Sequence, residues 1–285
     1  MTDGSSPTLR RRELGSRLRR LRTESGRSLE EVAEALLCSL SKVSRMETGQ
    51  RVATPRDIRD LCQLYELTDA GTRDELMELS REARQHSWWR QYSDLGQVTT
   101  LIDYQDGASS IIEYDTCLVP GLLQTPDYAR ATIRGMLPRI SEEVLEERTE
   151  ARMRRQSLLE QHDPPTLWVL LDESALLRHV GDEAILAGQL AKLLDKAQLP
   201  HVTVQVIPLD VGAHPGFNSA FSFVEFRDST QTPVVYTEGL AGELYLEGRA
   251  EIGRYREAVD HLRALALGPA SSRNLIADRA RRLEP

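Results

Sequence analysis

The stretch Ser28–Arg51, SLEEVAEALLCSLSKVSRMETGQR, constrains this chain more than any other. It reads as two short helices meeting at a tight turn. Ser28 and Glu31 have the form of a capping box, in which a hydroxyl and a carboxylate each satisfy a free backbone amide. Val32, Ala33 and Leu36 give the first helix an apolar stripe about two turns long. Ser39 is placed to cap a second helix, whose Leu40, Val43 and Met46 recur three apart on one side. Ser41, Lys42, Ser44 and Arg45 are left on the other side, short or rich in donors. A helix that buries Val43 while displaying such side chains suits the major groove of duplex DNA, where hydroxyls and cationic donors reach base edges and phosphates.

The run SKVSRMETG, Ser41–Gly49, carries the S-K-V-S-R-M-E-x-G form and resembles the helix-turn-helix of the XRE (phage-repressor-like) family. The resemblance implies that Ser39–Met46 is the recognition helix and that Glu47 helps to close the motif. It also implies that Gly49, Gln50 and Arg51 approach a phosphate through backbone amides and the Arg51 guanidinium. The implied DNA-binding set is Ser39, Ser41, Lys42, Ser44, Arg45, Gly49, Gln50 and Arg51. The family usually has glycine in the turn, at a residue of positive φ, whereas Leu37 stands there in this chain. A non-glycine residue in that conformation costs about 1 kcal/mol, so a differently shaped turn is expected.

Charge distribution supports this reading. The chain of 285 residues carries a net −8, yet residues 1–56 hold 12 Lys and Arg against 7 Asp and Glu, and residues 57–285 hold 24 against 37. A basic head on an acidic body fits a DNA-binding domain whose body repels nonspecific DNA, so that affinity depends on geometry and on a dimer. The length suggests two domains. No apolar run approaches the ~20 residues that span a bilayer, and the N-terminus lacks the apolar core of a signal peptide. Cys38, Cys62 and Cys117 are scattered, with no C-x-x-C, and read as small buried hydrophobes rather than as a disulfide or metal framework. A cytoplasmic protein without metal or cofactor is expected.

In chain order, Met1–Pro7 reads as a disordered tail and Leu9–Ser25 as a helix with Leu14, Leu18 and Leu21 inward, ended by Gly26. Thr54-Pro55-x-Asp57 starts a helix with Ile58, Leu61, Cys62 and Tyr65 inward, and Ala70–Gln85 is a fifth. A five-helix DNA-binding domain over residues 9–85 results. Residues 86–100 form a connector whose Trp88, Trp89 and Tyr92 are expected to pack against the second domain. Residues 101–283 mix both element types. Leu167–Asp172 and Val202–Pro208 are apolar enough for buried strands, and Phe221–Phe226 with Val234–Thr237 makes an antiparallel pair. Helices are expected near Pro126, over Ser141–Gln161, Asp182–Gln198, Glu251–Leu267 and Ser271–Leu283. The fold class is therefore multi-domain: an all-α five-helix, lambda-repressor-like head and an α+β body.

Three further segments carry a second resemblance: VPGLLQTPDYAR (Val119–Arg130), LDESALLRHVG (Leu171–Gly181) and QVIPLDVGAHPG (Gln205–Gly216). They look like the C-terminal domain of the WhiJ-like, antitoxin-like XRE regulators of actinomycetes, and the likeness runs from residue 9 to nearly the end. It implies a transcription regulator that binds double-stranded DNA, often encoded beside a small partner protein, and it implies no catalytic chemistry; a homodimer joined through the C-terminal region is expected besides. Pro120, Gly121, Leu122 and the His214 loop are candidate surfaces for a partner or ligand. The alternative is a ligand-sensing regulator with a pocket lined by Trp168, Phe217, Phe221 and Tyr236. Asp172, Glu173, His179, His214 and Glu238 lack the spacing of any hydrolase, phosphate-loop or zinc motif, so no catalytic residue is assigned.

Overall fold

The computed structural model describes residues 7–84, 88–92, 95, 99–227 and 231–283. Of the expectations above, most of the N-terminal tail, the end of the fifth helix at Gln85 and His86 in the connector lie outside them. The chain divides into two units, one built on Met1–Arg90 with Ile102–Gly107, the other mainly on Ala108–Arg227 and Thr232–Pro285.

The first unit is five helices: α1 (Pro7–Glu24), α2 (Leu29–Ala35), α3 (Leu40–Glu47), α4 (Pro55–Leu64) and α5 (Ala70–Glu82). Each of the last four begins at a side-chain cap: Ser28, Ser39, Thr54 and Asp69 accept from the amides of Glu31, Lys42, Asp57 and Thr72. The helices enclose one core of Leu14 and Leu18, Val32, Val43 and Met46, Ile58 and Leu61, and Leu76 and Leu79. Gly15 lets α1 lie directly on the end of α3, because a Cβ there would stand 2.6 Å from the Met46 carbonyl oxygen and 2.7 Å from that of Glu47.

The connector tryptophans bond to residues that the sequence reading placed at the start of the second domain. The Trp88 and Trp89 indoles donate to Asp106 (3.3 Å) and Asp103 (2.9 Å) on α6 (Thr99–Asp106). All four residues cluster with the first unit, not the second. Tyr92 instead donates to Glu150 of the second unit, at 3.2 Å.

The second unit is built on β1 (Ala108–Asp115), β2 (Thr166–Asp172), β3 (Val202–Ile207), β4 (Phe221–Phe226), β5 (Val234–Gly239) and β6 (Gly242–Leu246). These form one sheet in the order β3-β2-β1-β4-β5-β6, parallel between β1, β2 and β3 and antiparallel beyond. Helices α7 (Pro126–Met136) and α8 (Glu142–Arg155) connect β1 to β2; α9 (Ser174–Leu177) and α10 (Glu183–Lys196) connect β2 to β3. The chain ends in α11 (Arg249–Leu265) and α12 (Pro269–Arg281). Ile112, Tyr114, Leu170, Phe221, Phe223 and Val235 meet Ile252, Val259 and Leu262 of α11 on one face. The alternate residues, among them Val169, Leu171, Val204 and Val224, are buried on the other face, as parallel strands covered on both sides require. The α+β expectation holds. Ile111–Tyr114, which the sequence reading did not assign to a strand, lies in β1, paired on both edges.

Candidate nucleic-acid interface

The turn between α2 and α3 keeps the shape that glycine would give it. Leu37 has φ of +50°, and two bonds close the turn: Leu37 N–H to the Glu34 carbonyl (3.0 Å) and Cys38 N–H to the Ala33 carbonyl (2.9 Å). This is a Schellman cap, with leucine holding the left-handed position. The expectation of an altered turn is corrected: the geometry is retained and the strain is borne. Glu66 ends α4 in the same way, at φ of +54°.

Helix α3, the expected recognition helix, is seated from beneath by Val43 and Met46, both almost fully buried. Glu47 is buried too, and takes a two-pronged bond from Arg22 of α1: Nε to Oε1 at 2.7 Å and Nη2 to Oε2 at 3.1 Å. The Glu47 bond, more than compensating for burial, raises the Arg22 guanidinium above its ordinary value and keeps the pair charged. Arg22 also donates to the Arg27 carbonyl at 2.9 Å, so a single side chain fixes the end of α3 to the loop before α2.

Two of the expected contact residues differ from the sequence reading. Lys42 does not stand free: its Nζ lies 2.6 Å from Asp57, the residue that completes the capping box of α4. Burial would raise the Asp57 carboxyl, but the Lys42 bond, the Thr54 amide and hydroxyl and the Lys42 charge outweigh it and hold the group below the usual carboxylate range. Lys42 thus ties α3 to α4. Gly49 has φ of +72°, and a Cβ there would stand 2.9 Å from Arg12 Cα, so only glycine fits. Its amide donates to the Met46 carbonyl (3.3 Å) and that of Arg51 to the Arg45 carbonyl (2.9 Å). Of the three amides expected to face a phosphate, two are therefore used inside the protein, and the Gln50 amide and Arg51 guanidinium remain.

The outward face of α3 carries Ser41 and Arg45, four apart and both exposed, with half-buried Ser44 beside them. Ser39 is exposed but its hydroxyl is engaged as the cap, 3.2 Å from the Lys42 amide. Gln50 and Arg51 are exposed at the helix end. Neither the Arg45 nor the Arg51 side chain has an ion-pair or hydrogen-bond partner among the described residues, whereas Arg10, Arg17 and Arg22 are all paired with carboxylates. The unpaired Arg45 guanidinium and two small hydroxyls on α3, with the unpaired Arg51 guanidinium just beyond its end, match what a major groove and its phosphates require.

The candidate residues of the second unit lie inside it. Pro120 and Leu122 are buried and Gly121 is half-buried. A Cβ on Gly121 would stand 2.3 Å from Arg155 Nη2. The segment is held by side chains rather than by a ladder. Gln156 donates to the Gly121 (2.9 Å) and Gln124 (2.8 Å) carbonyls, Gln189 to that of Leu123 (2.8 Å), and Gln124 to that of Val119 (2.7 Å). His214 is also internal, its side chain 2% exposed, with Nε2 3.6 Å from Asp172 and its ring edge-on to Tyr114. The second and third of the segments named above converge with the end of β1 and the loop after it. Ser174 donates to the Thr116 carbonyl, the Leu209 amide donates to Glu173 (3.1 Å), and Gly216 passes so close to Tyr114 that a Cβ would meet its ring at 2.4 Å. The aromatic pocket expected from Trp168, Phe217, Phe221 and Tyr236 does not assemble: Phe217 is 65% exposed, and Tyr236 lies on the sheet face opposite to Phe221's. No group of His, Cys, Asp and Glu among the described residues is arranged to hold a metal, and no helix there is long and apolar enough to cross a membrane.

Comparison with known families places both units. Residues 13–76 match the family described as Helix-turn-helix domain, and residues 98–278 match the family described as Domain of unknown function (DUF5753). No curated protein and no solved structure matches the chain.

Proposed function

The chain belongs to the family of that domain of unknown function (DUF5753), carries a helix-turn-helix domain ahead of it, and we propose that it is a sequence-specific transcription regulator of the WhiJ-like, antitoxin-like kind found in actinomycetes. The observation that carries the reading is the outward face of α3, with Ser41 and Arg45 exposed and Arg45 unpaired above a buried Val43 and Met46. In the proposed complex α3 enters the major groove, Arg45 reads a base edge and Arg51 meets a phosphate. Two copies, joined through the second unit, set their recognition helices about 34 Å apart on a pseudo-palindrome. The second unit also receives a small protein encoded by a neighbouring gene, which alters DNA occupancy. No catalytic step belongs to this proposal, and the protein works in the cytoplasm, where its DNA is.

The test is a footprint on the DNA upstream of its own gene, with and without the products of adjacent genes. Two protected half-sites one turn apart, shifted by a small neighbouring protein, are expected. The absence of specific protection in every mixture would refute the DNA-binding reading; specific protection indifferent to all neighbours would refute the partner. A ligand-sensing second unit is the second reading, favoured by one observation, a charged cleft beneath α11.

A further inference from the structure

Between the sheet and α11 lies a cleft of about 150 Å³. Its floor comes from two strands in register: Ser110 opposite Glu225, and Ile112 opposite Phe223, on β1 and β4. Its roof carries Arg256, Asp260 and Arg263, spaced four and three residues apart along α11 and so on one side of it.

The two arginines are in different states. Arg256 is committed, paired with Glu225 at 2.9 Å and lying over the Phe223 ring, 5.2 Å from its centre. Arg263 lies over Trp168, 4.0 Å from the ring centre, which fixes the guanidinium in place without using its donors. The carboxylate beside it, Asp260, stands at 3.9 Å, beyond hydrogen-bond reach. The Arg263 Nε is buried and has no acceptor. Such a donor is rare in a folded protein, because it has lost water without gaining a partner. The Ser110 hydroxyl, in the same cleft, makes no hydrogen bond among the described residues.

We propose that this cleft binds a small zwitterion of the α-amino acid class. The lining holds two cations and two carboxylates, Arg256 paired with Glu225 and Arg263 at 3.9 Å from Asp260, so a ligand that carries both charges keeps the balance of the cleft whereas a simple anion or cation does not. A zwitterion answers both: its carboxylate meets Arg263 and Ser110, its ammonium meets Asp260, and a short side chain rests on Ile112 and Phe223. A cavity of about 150 Å³ accepts a molecule the size of benzene, about six non-hydrogen atoms, which is the size of alanine. The site gives the ligand-sensing reading its pocket, and only its regulatory purpose rests on that reading.

Calorimetric titration of the full chain, without DNA, tests the site with glycine, L-alanine and L-serine, and with propionate and ethylamine as the two half-molecules. At least one amino acid should bind saturably, with Kd at or below about 1 mM, and neither half-molecule should match it. Arg263→Lys and Asp260→Asn should each weaken binding by about tenfold or more. Asp260 is 71% exposed, so its variant keeps the test intact even if Arg263→Lys disturbs packing on Trp168. No saturable binding up to about 10 mM, propionate binding as well as alanine, or unaltered binding by Asp260→Asn would each overturn the assignment. Saturable binding that leaves DNA affinity unchanged supports the site and removes the sensing reading.

Discussion

Replacing Leu37 with glycine should make the helix-turn-helix unit more stable. Leu37 sits at φ of +50° in the cap that ends α2, and its side chain is 94% exposed. An L-residue in the left-handed region costs about 1–2 kcal/mol, because Cβ crowds the following carbonyl, and glycine is free of that cost. Against this, glycine gains about 0.5–1 kcal/mol of conformational freedom in the unfolded chain. The leucine side chain offsets little, since it is in water already. The balance is a stabilisation of about 0.5–1 kcal/mol, or roughly two- to fivefold in the population of the opened unit. Native-state hydrogen exchange suits the measurement, because the slowest amides of α1 and α3 report opening of this unit separately from the second. They should exchange roughly two- to fivefold more slowly in Leu37→Gly, while Leu37→Ala, which keeps the Cβ, should exchange at the parent rate. Equal protection in all three proteins would refute the argument that strain is stored at this turn. A more stable Leu37→Gly that has lost operator binding would show instead that the leucine is kept for a contact.

The interface yields further expectations. Arg45→Ala should cost about 1–3 kcal/mol on the cognate site and relax sequence preference, measured by fluorescence anisotropy on cognate and scrambled duplexes; equal affinity for both parent and variant would remove Arg45 from the readout. Arg51→Ala should weaken all duplexes alike and flatten the slope of log K against log salt by about one unit, and an unchanged slope would mean that Arg51 meets no phosphate. Lys42→Ala should act on folding first, losing about 1 kcal/mol in urea titration because Asp57 keeps its Thr54 bonds but not its cation; a larger loss in DNA affinity than in stability would put Lys42 back among the contacts. In the second unit, burial lifts the Asp115 carboxyl to about 6, against the amides of Cys117, Leu118 and Thr116 that pull it down. A raised folded value means that its contribution to stability is complete below about pH 4 and is lost as pH rises through 6. Asp115→Asn keeps an oxygen acceptor for Cys117 and Leu118, at 3.1 and 3.0 Å, and should raise stability at pH 7.5 by about 1–2 kcal/mol while leaving it unchanged at pH 4. Parallel pH profiles for parent and variant would contradict this.

The helix-turn-helix could be read from the chain because its determinants are local. Ser28 with Glu31, Ser39 ahead of Lys42, and Thr54-Pro55 with Asp57 are caps whose partners lie three residues away, and the structure forms each of them. The spacing of Val43 and Met46 likewise fixed which side of α3 faces inward. The Lys42 pairing was not legible for the opposite reason: its partner Asp57 is 15 residues away, and nothing in α3 itself distinguishes a lysine aimed at solvent from one aimed at the next helix cap. Leu37 shows a further limit. Its sequence position identified the strain correctly, but not whether the backbone would give way or the residue would bear it.

Long-range pairing also explains why the second unit was harder to read. Of the parallel strands, β2 and β3 were recognisable as apolar runs and β1 was not, and the order of all three depends on crossovers through α7 to α10, which no local pattern encodes. The segments that looked most like surfaces for a partner carry polar and glycine residues because the fold uses those residues internally. Gln124, Gln156 and Gln189 are buried and bond backbone carbonyls or amides up to 66 positions away, at sites where no strand passes to supply a ladder. Gly121 and Gly216 are small because Arg155 and the Tyr114 ring occupy the space of a side chain. A buried glutamine and a crowded glycine look, in one dimension, like a solvated loop. The glutamines and glycines of Val119–Arg130 and Gln205–Gly216 are therefore accounted for by architecture, and what these segments offer to a partner is their exposed rim, Pro126 and Asp127 in the first and Leu209, Asp210 and Pro215 in the second.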